Sequence, residues 1–239
     1  MRIDYRAIET GPQSFPDLVR ELAAGGGRGC NVTVPLKREA WALATRCSDR
    51  AERAQAANTL LFEGDIFADN TDGQGLVNDL LSLSGGRIEG ARICLLGAGG
   101  AAAGVLAALL QARPDRIVIA NRTLARADEL VGRHADLGPV QSCVPGDIPR
   151  QAPFDLFINA TSHGHHGVAP PLEPCWLSPG GLCYDLNYGQ AAAPLKHACA
   201  AAGIAYSDGL GMLVHQAALS FALWTGRAPA VDPVLEKLR

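Results

Sequence analysis

Two charged residues in the first third of the chain could move a proton. Lys37 ends the segment 31–37 (NVTVPLK), and Asp72 stands in the turn segment 70–73 (NTDG). A lysine beside a carboxylate can exchange a proton with a substrate hydroxyl while hydride moves to or from a nicotinamide. Lysine–aspartate pairs are also common at protein surfaces, where their role is usually structural. Residue types alone leave both interpretations open.

A glycine-rich segment in the middle of the chain could bind the phosphates of a nucleotide. Residues 97–102 (GAGGAA) fit the pattern G-x-G-x-x-A between an apolar strand at 91–96 and a helix at 103–111. The glycines permit a tight turn and close approach of a pyrophosphate, and the free N–H groups of the helix start attract the anion. The pattern alone can be a packing device, but its strand and helix context favours a dinucleotide site. The residues expected at the phosphates are Gly97, Ala98, Gly99, Gly100 and Ala101.

The end of the following strand indicates which dinucleotide binds. A carboxylate there would accept hydrogen bonds from the ribose 2′-hydroxyl of NAD. The strand at 116–120 is instead followed by Asn121, Arg122 and Thr123, with Arg126 one turn later. Two guanidinium groups and a hydroxyl suit a 2′-phosphate, so the predicted cofactor is NADP(H). The alternative is that both arginines are solvated charges at a helix start.

The apolar pattern predicts the elements that position these residues. From residue 91 onward, strands and helices alternate, which predicts a Rossmann-type doubly wound parallel sheet in an α/β protein. The first 70 residues predict a smaller mixed α/β unit. We predict strands at 30–34, 59–62, 66–68, 91–96, 116–120, 154–159 and 181–186, and helices at 16–24, 37–44, 54–57, 75–83, 103–111, 124–132, 194–202 and 212–225.

Composition narrows the classes of function. A formal charge of −3 and 5% aromatic residues disfavour nucleic acid as a partner. No apolar stretch reaches the roughly 18 residues of a membrane span, and residues 1–6 carry no secretory signal, so we expect a cytoplasmic protein without membrane contact. The seven cysteines form no C-x-x-C pair, and the histidines of 163–166 lack ligand partners at metal-binding spacing, so we predict no metal site.

Eight segments taken together resemble the shikimate dehydrogenase family. They follow the family's order over nearly the whole chain: 31–37 (NVTVPLK), 57–60 (ANTL), 69–73 (DNTDG), 97–101 (GAGGA), 121–123 (NRT), 158–162 (INATS), 184–188 (YDLNY) and 208–216 (DGLGMLVHQ). The resemblance implies reversible, NADPH-dependent reduction of 3-dehydroshikimate to shikimate, a step toward chorismate and the aromatic amino acids. It also implies a small-molecule substrate, and we expect a homodimer.

The resemblance further implies roles for individual residues. Lys37 is similar to the catalytic lysine that protonates the oxygen as hydride arrives at C3, and Asp72 is similar to its partner carboxylate. The positions similar to substrate-binding residues are Thr33, Asn58, Asp72, Tyr188 and Gln216. The positions similar to cofactor-binding residues are Gly97, Ala98, Gly99, Gly100, Ala101, Asn121, Arg122, Thr123 and Arg126, with Leu186 and Gly209 beside the nicotinamide.

The chain departs from the family pattern at its N-terminus. The family begins with a strand and helix carrying H-S-x-S-P, whose two serines bind the substrate carboxylate. Residues 1–6 resemble the family's second strand instead, and Ser14 lies in a different element from the family serines. We therefore expect unpaired backbone at a sheet edge and a weaker hold on the carboxylate.

Two domains are expected from the order of these segments. Residues 1–73, completed by 210–239, would bind the substrate, and 74–209 would form the NADP-binding Rossmann domain. One alternative function is a quinate/shikimate dehydrogenase paralogue, which the absence of an acid near Asn121 disfavours. The other is a catalytically impaired NADP-binding protein, which the missing Ser-x-Ser carboxylate anchor favours and the retention of Lys37 and Asp72 disfavours.

Overall fold

The computed structural model describes residues 3–83 and 86–239. Met1 and Arg2, which begin the segment similar to a family strand, lie outside the described residues, as do Ser84 and Gly85 of a predicted turn. Residues 3–14 form neither helix nor strand, so the strand expected there is not found in the described part of the segment. None of the helices in 3–83 and 86–239 is long and apolar enough to cross a membrane.

The helices and strands alternate along most of the described chain. The helices are α1 (Phe15–Ala24), α2 (Lys37–Leu43), α3 (Asp49–Ala54), α4 (Asp72–Ser82), α5 (Gly100–Gln111), α6 (Leu124–His134), α7 (Ile148–Gln151), α8 (Ala193–Ala202), α9 (Leu210–Thr225) and α10 (Asp232–Leu238). The strands are β1 (Gly29–Asn31), β2 (Arg46–Cys47), β3 (Thr59–Phe62), β4 (Ile66–Asp69), β5 (Arg92–Leu96), β6 (Arg116–Ala120), β7 (Val140–Cys143), β8 (Phe154–Asn159), β9 (Leu177–Asp185) and β10 (Ala205–Ser207).

A small mixed sheet is formed by the first four strands in the order β1-β3-β4-β2. The turn at 63–65 joins β3 to β4 as an antiparallel hairpin, in which Leu60 pairs with Ala68. Strand β1 is antiparallel to β3 and lies at the edge of the sheet, with Asn31 opposite Thr59. The sheet therefore holds the end of β1, which leads to Lys37, beside the start of β3, which follows Asn58.

The larger sheet has six parallel strands in the order β10-β9-β8-β5-β6-β7, which confirms the predicted Rossmann-type class. Alternate residues of β5 face opposite sides: Ile93 and Leu95 pack in a core with α4, α5 and α6, while Cys94 and Leu96 pack in another core with α7 and α8. Helices on both faces explain why the central strands β5 and β6 are apolar along almost their whole length. Because the strands are parallel, the segments that follow β5, β6, β8 and β9 meet at one edge.

Several predicted boundaries were wrong. The predicted helix at 54–57 begins where α3 ends, because Gln55 takes a left-handed conformation with φ of 49°. The helix lies earlier, and its first turn is capped by Ser48, whose hydroxyl accepts the N–H of Ala51. Strand β1 stops at Asn31, three residues before the predicted end, because residues 32–36 turn toward α2. Strands β2, β7 and β10 and helices α7 and α10 were not predicted.

Candidate active site

Lys37 and Asp72 form a mostly buried ion pair. Each is the first residue of its helix, α2 and α4 respectively. Lys37 Nζ donates to Asp72 Oδ2 across 2.6 Å, and the two side chains are 22% and 8% exposed. A pair removed from solvent to this degree is screened by salt much less than a surface pair. The structure thus brings together the two residues that the sequence pointed to for proton transfer.

Asn58 connects this ion pair to helix α9. It lies buried immediately before β3, and its Nδ2 is 2.8 Å from Asp72 Oδ1 and 3.0 Å from Gln216 Oε1. The Gln216 amide nitrogen in turn donates to the Leu213 carbonyl. Lys37, Asp72, Asn58 and Gln216 therefore form one connected polar cluster drawn from α2, α4, the β3 start and α9. An ammonium donor next to amide groups can protonate an oxygen while hydrogen bonds hold neighbouring hydroxyls.

Further polar residues of the cluster were not predicted individually. The Thr71 hydroxyl accepts from Asn58 Nδ2 at 2.8 Å and donates to the Gln216 carbonyl at 3.1 Å. Thr59 and Ser220 share a hydrogen bond of 2.7 Å, and Asn31 Nδ2 donates to Ser220 at 3.1 Å. Ser220 follows Gln216 by one helical turn, and that spacing is the signal that could have identified it.

Three glycines let the helices of the cluster approach closely. A Cβ at Gly73 would lie 2.8 Å from the Gly104 carbonyl oxygen, where α4 meets α5. A Cβ at Gly75 would lie 2.8 Å from the backbone nitrogen of Gln216, where α4 meets α9. A Cβ at Gly104 would lie 3.3 Å from Asp72 Oδ2. Asp72 therefore sits directly against α5, the helix that opens at the glycine-rich segment.

Two predicted substrate residues stand apart from the cluster. Thr33 lies exposed in the turn between β1 and α2, where its carbonyl accepts the Leu36 N–H. Tyr188 is 49% exposed just after β9. Within the described residues, neither side chain makes a hydrogen bond to another residue. The two positions therefore have free polar groups, whereas the polar groups around Asn58 bond one another.

The glycine-rich turn after β5 is open to a ligand. Gly97 takes φ of 107°, a conformation that favours glycine, and a Cβ there would lie 3.1 Å from the Ala160 carbonyl. Cβ atoms added at Gly99 and Gly100 would meet nothing within 4 Å. Gly99 caps α5 without a side chain, so the first N–H groups of the helix, including that of exposed Ala101, remain available to an anion.

The residues after β6 fit an additional phosphate. The Ala98 N–H donates to Asn121 Oδ1 at 3.2 Å, which ties this segment to the glycine-rich turn. Arg122 and Arg126 are exposed, and no carboxylate of the described residues pairs with either. Thr123 caps α6 without a side-chain hydrogen bond. Two unpaired guanidinium groups and a free hydroxyl at a helix start are suited to bind the 2′-phosphate of NADP(H).

Leu186 and Gly209 lie side by side at the same sheet edge. A Cβ at Gly209 would be 2.5 Å from the Leu186 carbonyl oxygen, so the two backbones are in close contact. Behind them, the buried Asp185 carboxylate accepts hydrogen bonds from Asn159 at 2.9 Å and from Asn187 at 2.8 Å. Burial raises the pKa of Asp185. The predicted cofactor residues thus line one edge of the large sheet.

The histidine-rich segment does not join the site. Residues 163–166 form a short 3-10 turn after β8, in which all three histidines are exposed. His163 Nδ1 lies 2.8 Å from the Thr161 hydroxyl. Among the described residues, no group of three or more histidine, cysteine, aspartate or glutamate side chains is arranged to hold a metal ion.

The large sheet has an edge suited to bind a dinucleotide, and the lysine–carboxylate pair lies against helix α5, which begins at that edge. These features define an α/β oxidoreductase of the Rossmann type. Three family models match the sequence: the shikimate dehydrogenase substrate binding domain over residues 1–60, shikimate / quinate 5-dehydrogenase over 79–168, and the shikimate 5'-dehydrogenase C-terminal domain over 209–239. A shikimate dehydrogenase (NADP(+)) of Methylococcus capsulatus is 48% identical over 237 residues, which cover 98% of this chain and 85% of that protein. The chain belongs to the shikimate dehydrogenase family.

Solved structures agree with this assignment. An Ael1 enzyme from Pseudomonas putida superposes with a TM-score of 0.87 at 39% identity, covering 97% of this chain and 85% of that one. Shikimate 5-dehydrogenase from Thermus thermophilus, in complex with NADP(H) and shikimate, superposes with a TM-score of 0.78 at 31% identity, covering 93% and 82%. The similarities do not favour either the quinate paralogue or the impaired NADP-binding protein.

Proposed function

We propose that the chain catalyses the reversible, NADPH-dependent reduction of 3-dehydroshikimate to shikimate. The observation that carries the proposal is the buried Lys37–Asp72 pair, hydrogen-bonded through Asn58 to Gln216 and packed against the helix of the glycine-rich turn. The reaction needs a proton donor, groups that hold ring hydroxyls, and a dinucleotide site within reach. The names of the relatives add NADP(+) and shikimate to this chemistry.

Lys37 is the proton donor in the reducing direction. NADPH supplies the hydride when it is bound. The Lys37 ammonium protonates the carbonyl oxygen as the hydride arrives at C3, and in the oxidising direction the amine takes the proton back. Asp72 holds the Lys37 ammonium group in place through the 2.6 Å contact and orients the neighbouring substrate hydroxyl.

Binding is divided between the two ends of the site. Thr33, Asn58 and Gln216 hold the ring hydroxyls, and Tyr188 lies at the carboxylate end. Leu186 and Gly209 form the wall against the nicotinamide, and the pyrophosphate rests on the turn from Gly97 to Ala101. Asn121, Arg122, Thr123 and Arg126 hold the adenosine phosphate. The charges of Arg122 and Arg126, which pair with no carboxylate of the described chain, support a preference for NADP(H) over NAD(H).

Kinetics of two variants test these roles. Lys37→Ala should lower kcat by about two to four decades, because a proton donor is required in the transition state. Gln216→Ala should chiefly raise the KM for shikimate, because its contact exists already in the ground state. Lys196→Ala, which removes an exposed lysine in α8, is the matched control and should change neither constant. A Lys37→Ala variant with nearly normal kcat and weakened binding would contradict the role of Lys37.

We also propose the division into a substrate domain, residues 1–73 with 210–239, and an NADP domain, residues 74–209. The separate four-stranded and six-stranded sheets support this division. Hydrogen exchange tests it: NADPH should protect amides mainly within 74–209, and shikimate should protect amides mainly in the other two segments. If each ligand protects amides equally in both sets of segments, the division is refuted.

We propose finally that the protein forms a homodimer and that it is located in the cytoplasm. Ile3, Tyr5 and Ile8 are 48%, 65% and 50% exposed, and β1 is an edge strand; both features support self-association. All seven cysteines are free, which supports a reducing compartment. Sedimentation equilibrium and cell fractionation test the two statements, and a monomer or a secreted protein would contradict them.

A further inference from the structure

A buried carboxylate outside the catalytic cluster lacks a cationic partner. Asp79 lies in α4 and is 1% exposed. Its Oδ2 accepts the hydroxyl of Tyr184 at 2.5 Å, and its Oδ1 has no hydrogen-bond partner among the described residues. No lysine, arginine or histidine of the described chain forms a salt bridge with it. Burying such a group costs stability, so a use for it is expected.

The carboxylate rests against the first turn of α9. A Cβ at Gly211 would overlap Asp79 Oδ1, so a side chain at residue 211 and the present position of Asp79 are incompatible. The start of a 16-residue helix carries partial positive charge, which favours a carboxylate there. Met212, in the same turn of α9, packs against the hydrophobic core that contains Tyr184. Asp79 and Tyr184 together therefore hold the beginning of α9.

The three elements joined by this contact all carry residues of the active site. Helix α4 bears Asp72 two turns before Asp79, so both lie on the same side of the helix. Helix α9 is capped by Gly209 and bears Gln216. Strand β9 ends just before Leu186. A shift of this contact would move the proton-donor pair, the substrate amide and the nicotinamide wall relative to each other.

We propose that Asp79 is a positioning residue, which acts through the Tyr184 hydroxyl to fix the first turn of α9 and so aligns substrate with nicotinamide for hydride transfer. The proposal rests on the reaction given above. Burial and then the nearby Asp79 charge raise the pKa of Tyr184, so its hydroxyl stays a donor. A misplacement of about 1 Å at a reacting centre can cost about a hundredfold in rate.

The experiment compares two tyrosine variants on neighbouring strands. Tyr184→Phe removes one hydroxyl, and Tyr206→Phe, the matched control, removes a hydroxyl that donates to the Ala192 carbonyl at 3.3 Å. Shikimate oxidation with NADP+ is measured first with the wild-type protein. If the wild-type protein shows no turnover, the proposed function fails; if it turns over, the variants test the positioning role alone.

The assay is run well below the melting temperature of the variant. Tyr184→Phe should lower kcat about tenfold and leave the KM for NADP+ nearly unchanged. The deuterium isotope effect measured in the reducing direction with NADPH deuterated at the transferred C4 position should rise, because hydride transfer becomes slower than product release. Tyr206→Phe should change neither kcat nor the isotope effect. A Tyr184→Phe variant with wild-type kcat and isotope effect would overturn the proposal, whatever its thermal stability.

A second pair of variants examines Asp79 itself. Asp79→Ala removes the acceptor and should reproduce the slower rate and larger isotope effect of Tyr184→Phe. Asp79→Asn keeps an oxygen that can accept the tyrosine hydroxyl and should recover most of kcat. If Asp79→Asn is as slow as Asp79→Ala, the hydrogen bond to Tyr184 is not the route by which Asp79 acts.

Discussion

Replacing Gly75 by alanine tests whether close packing of α4 on α9 sets the position of Gln216. A Cβ at residue 75 would lie 2.8 Å from both the Cβ and the backbone nitrogen of Gln216. Carbon atoms in favourable contact are about 3.5 to 4.0 Å apart, so α9 has to retreat by about 1 Å. That movement would lengthen the 3.0 Å contact between Gln216 and Asn58.

Two opposing free-energy terms decide the stability of this variant. Alanine is favoured over glycine within a helix by about 0.5 to 1 kcal/mol, whereas overpacking costs about 1 to 3 kcal/mol. Gly132→Ala in α6 is the control, because a Cβ there would meet nothing within 4 Å and only the favourable term applies. The difference between the two variants isolates the overpacking, about 1 to 3 kcal/mol, or about 2 to 12 °C in Tm for a chain of this length.

Calorimetry and steady-state kinetics provide the assay. Gly132→Ala should melt above Gly75→Ala by that difference and keep the wild-type KM. Gly75→Ala should raise the KM for shikimate about tenfold, as expected for about 1.4 kcal/mol of lost binding. If both variants melt together and bind shikimate equally well, the packing of α4 on α9 does not position Gln216.

Two further predictions concern the cofactor and acid stability. The double variant Arg122→Ala/Arg126→Ala should lower the affinity for NADPH by about two to three decades, because about 2 to 4 kcal/mol of charge-assisted contacts are lost. Fluorescence titration should show an unchanged affinity for NADH. An equal loss of affinity for both cofactors would refute the contact with the 2′-phosphate. Burial, the largest cause, lowers the pKa of His134 from its ordinary 6.5, so the folded protein keeps the ring neutral where the unfolded chain binds a proton. Stability from this group is present above pH 6.5 and lost as pH falls below it, so His134→Leu should flatten that decline in urea unfolding at successive pH values. An undiminished decline would assign the acid sensitivity to other groups.

The Rossmann part could be predicted from sequence because its strands are buried on both faces. Strands β6 and β8 have the predicted ends, since each contains a short apolar run, 117–120 or 156–158, with polar residues on both sides. Strands β2 and β7 contain few apolar residues and lie at sheet edges, so pairing with a neighbour determines them more than local preference does.

The active site could be predicted only in part. Spacing predicted the glycine-rich turn, residue chemistry suggested Lys37 and Asp72, and the family resemblance added Asn58 and Gln216 as predictions. The hydrogen bonds that join these residues depend on how α4, α5 and α9 pack, which no local pattern encodes. The same reason hid the Asp79–Tyr184 contact, whose two residues are far apart in sequence.

The rate of NADPH formation from shikimate by the purified chain tests the central claim most directly. With NADP+ we predict steady turnover, which Lys37→Ala reduces by about two to four decades. With NAD+ in place of NADP+, we predict a kcat/KM lower by about two decades or more. No turnover of shikimate, or equal kcat/KM with the two cofactors, would show that the chain is not an NADP-dependent shikimate dehydrogenase.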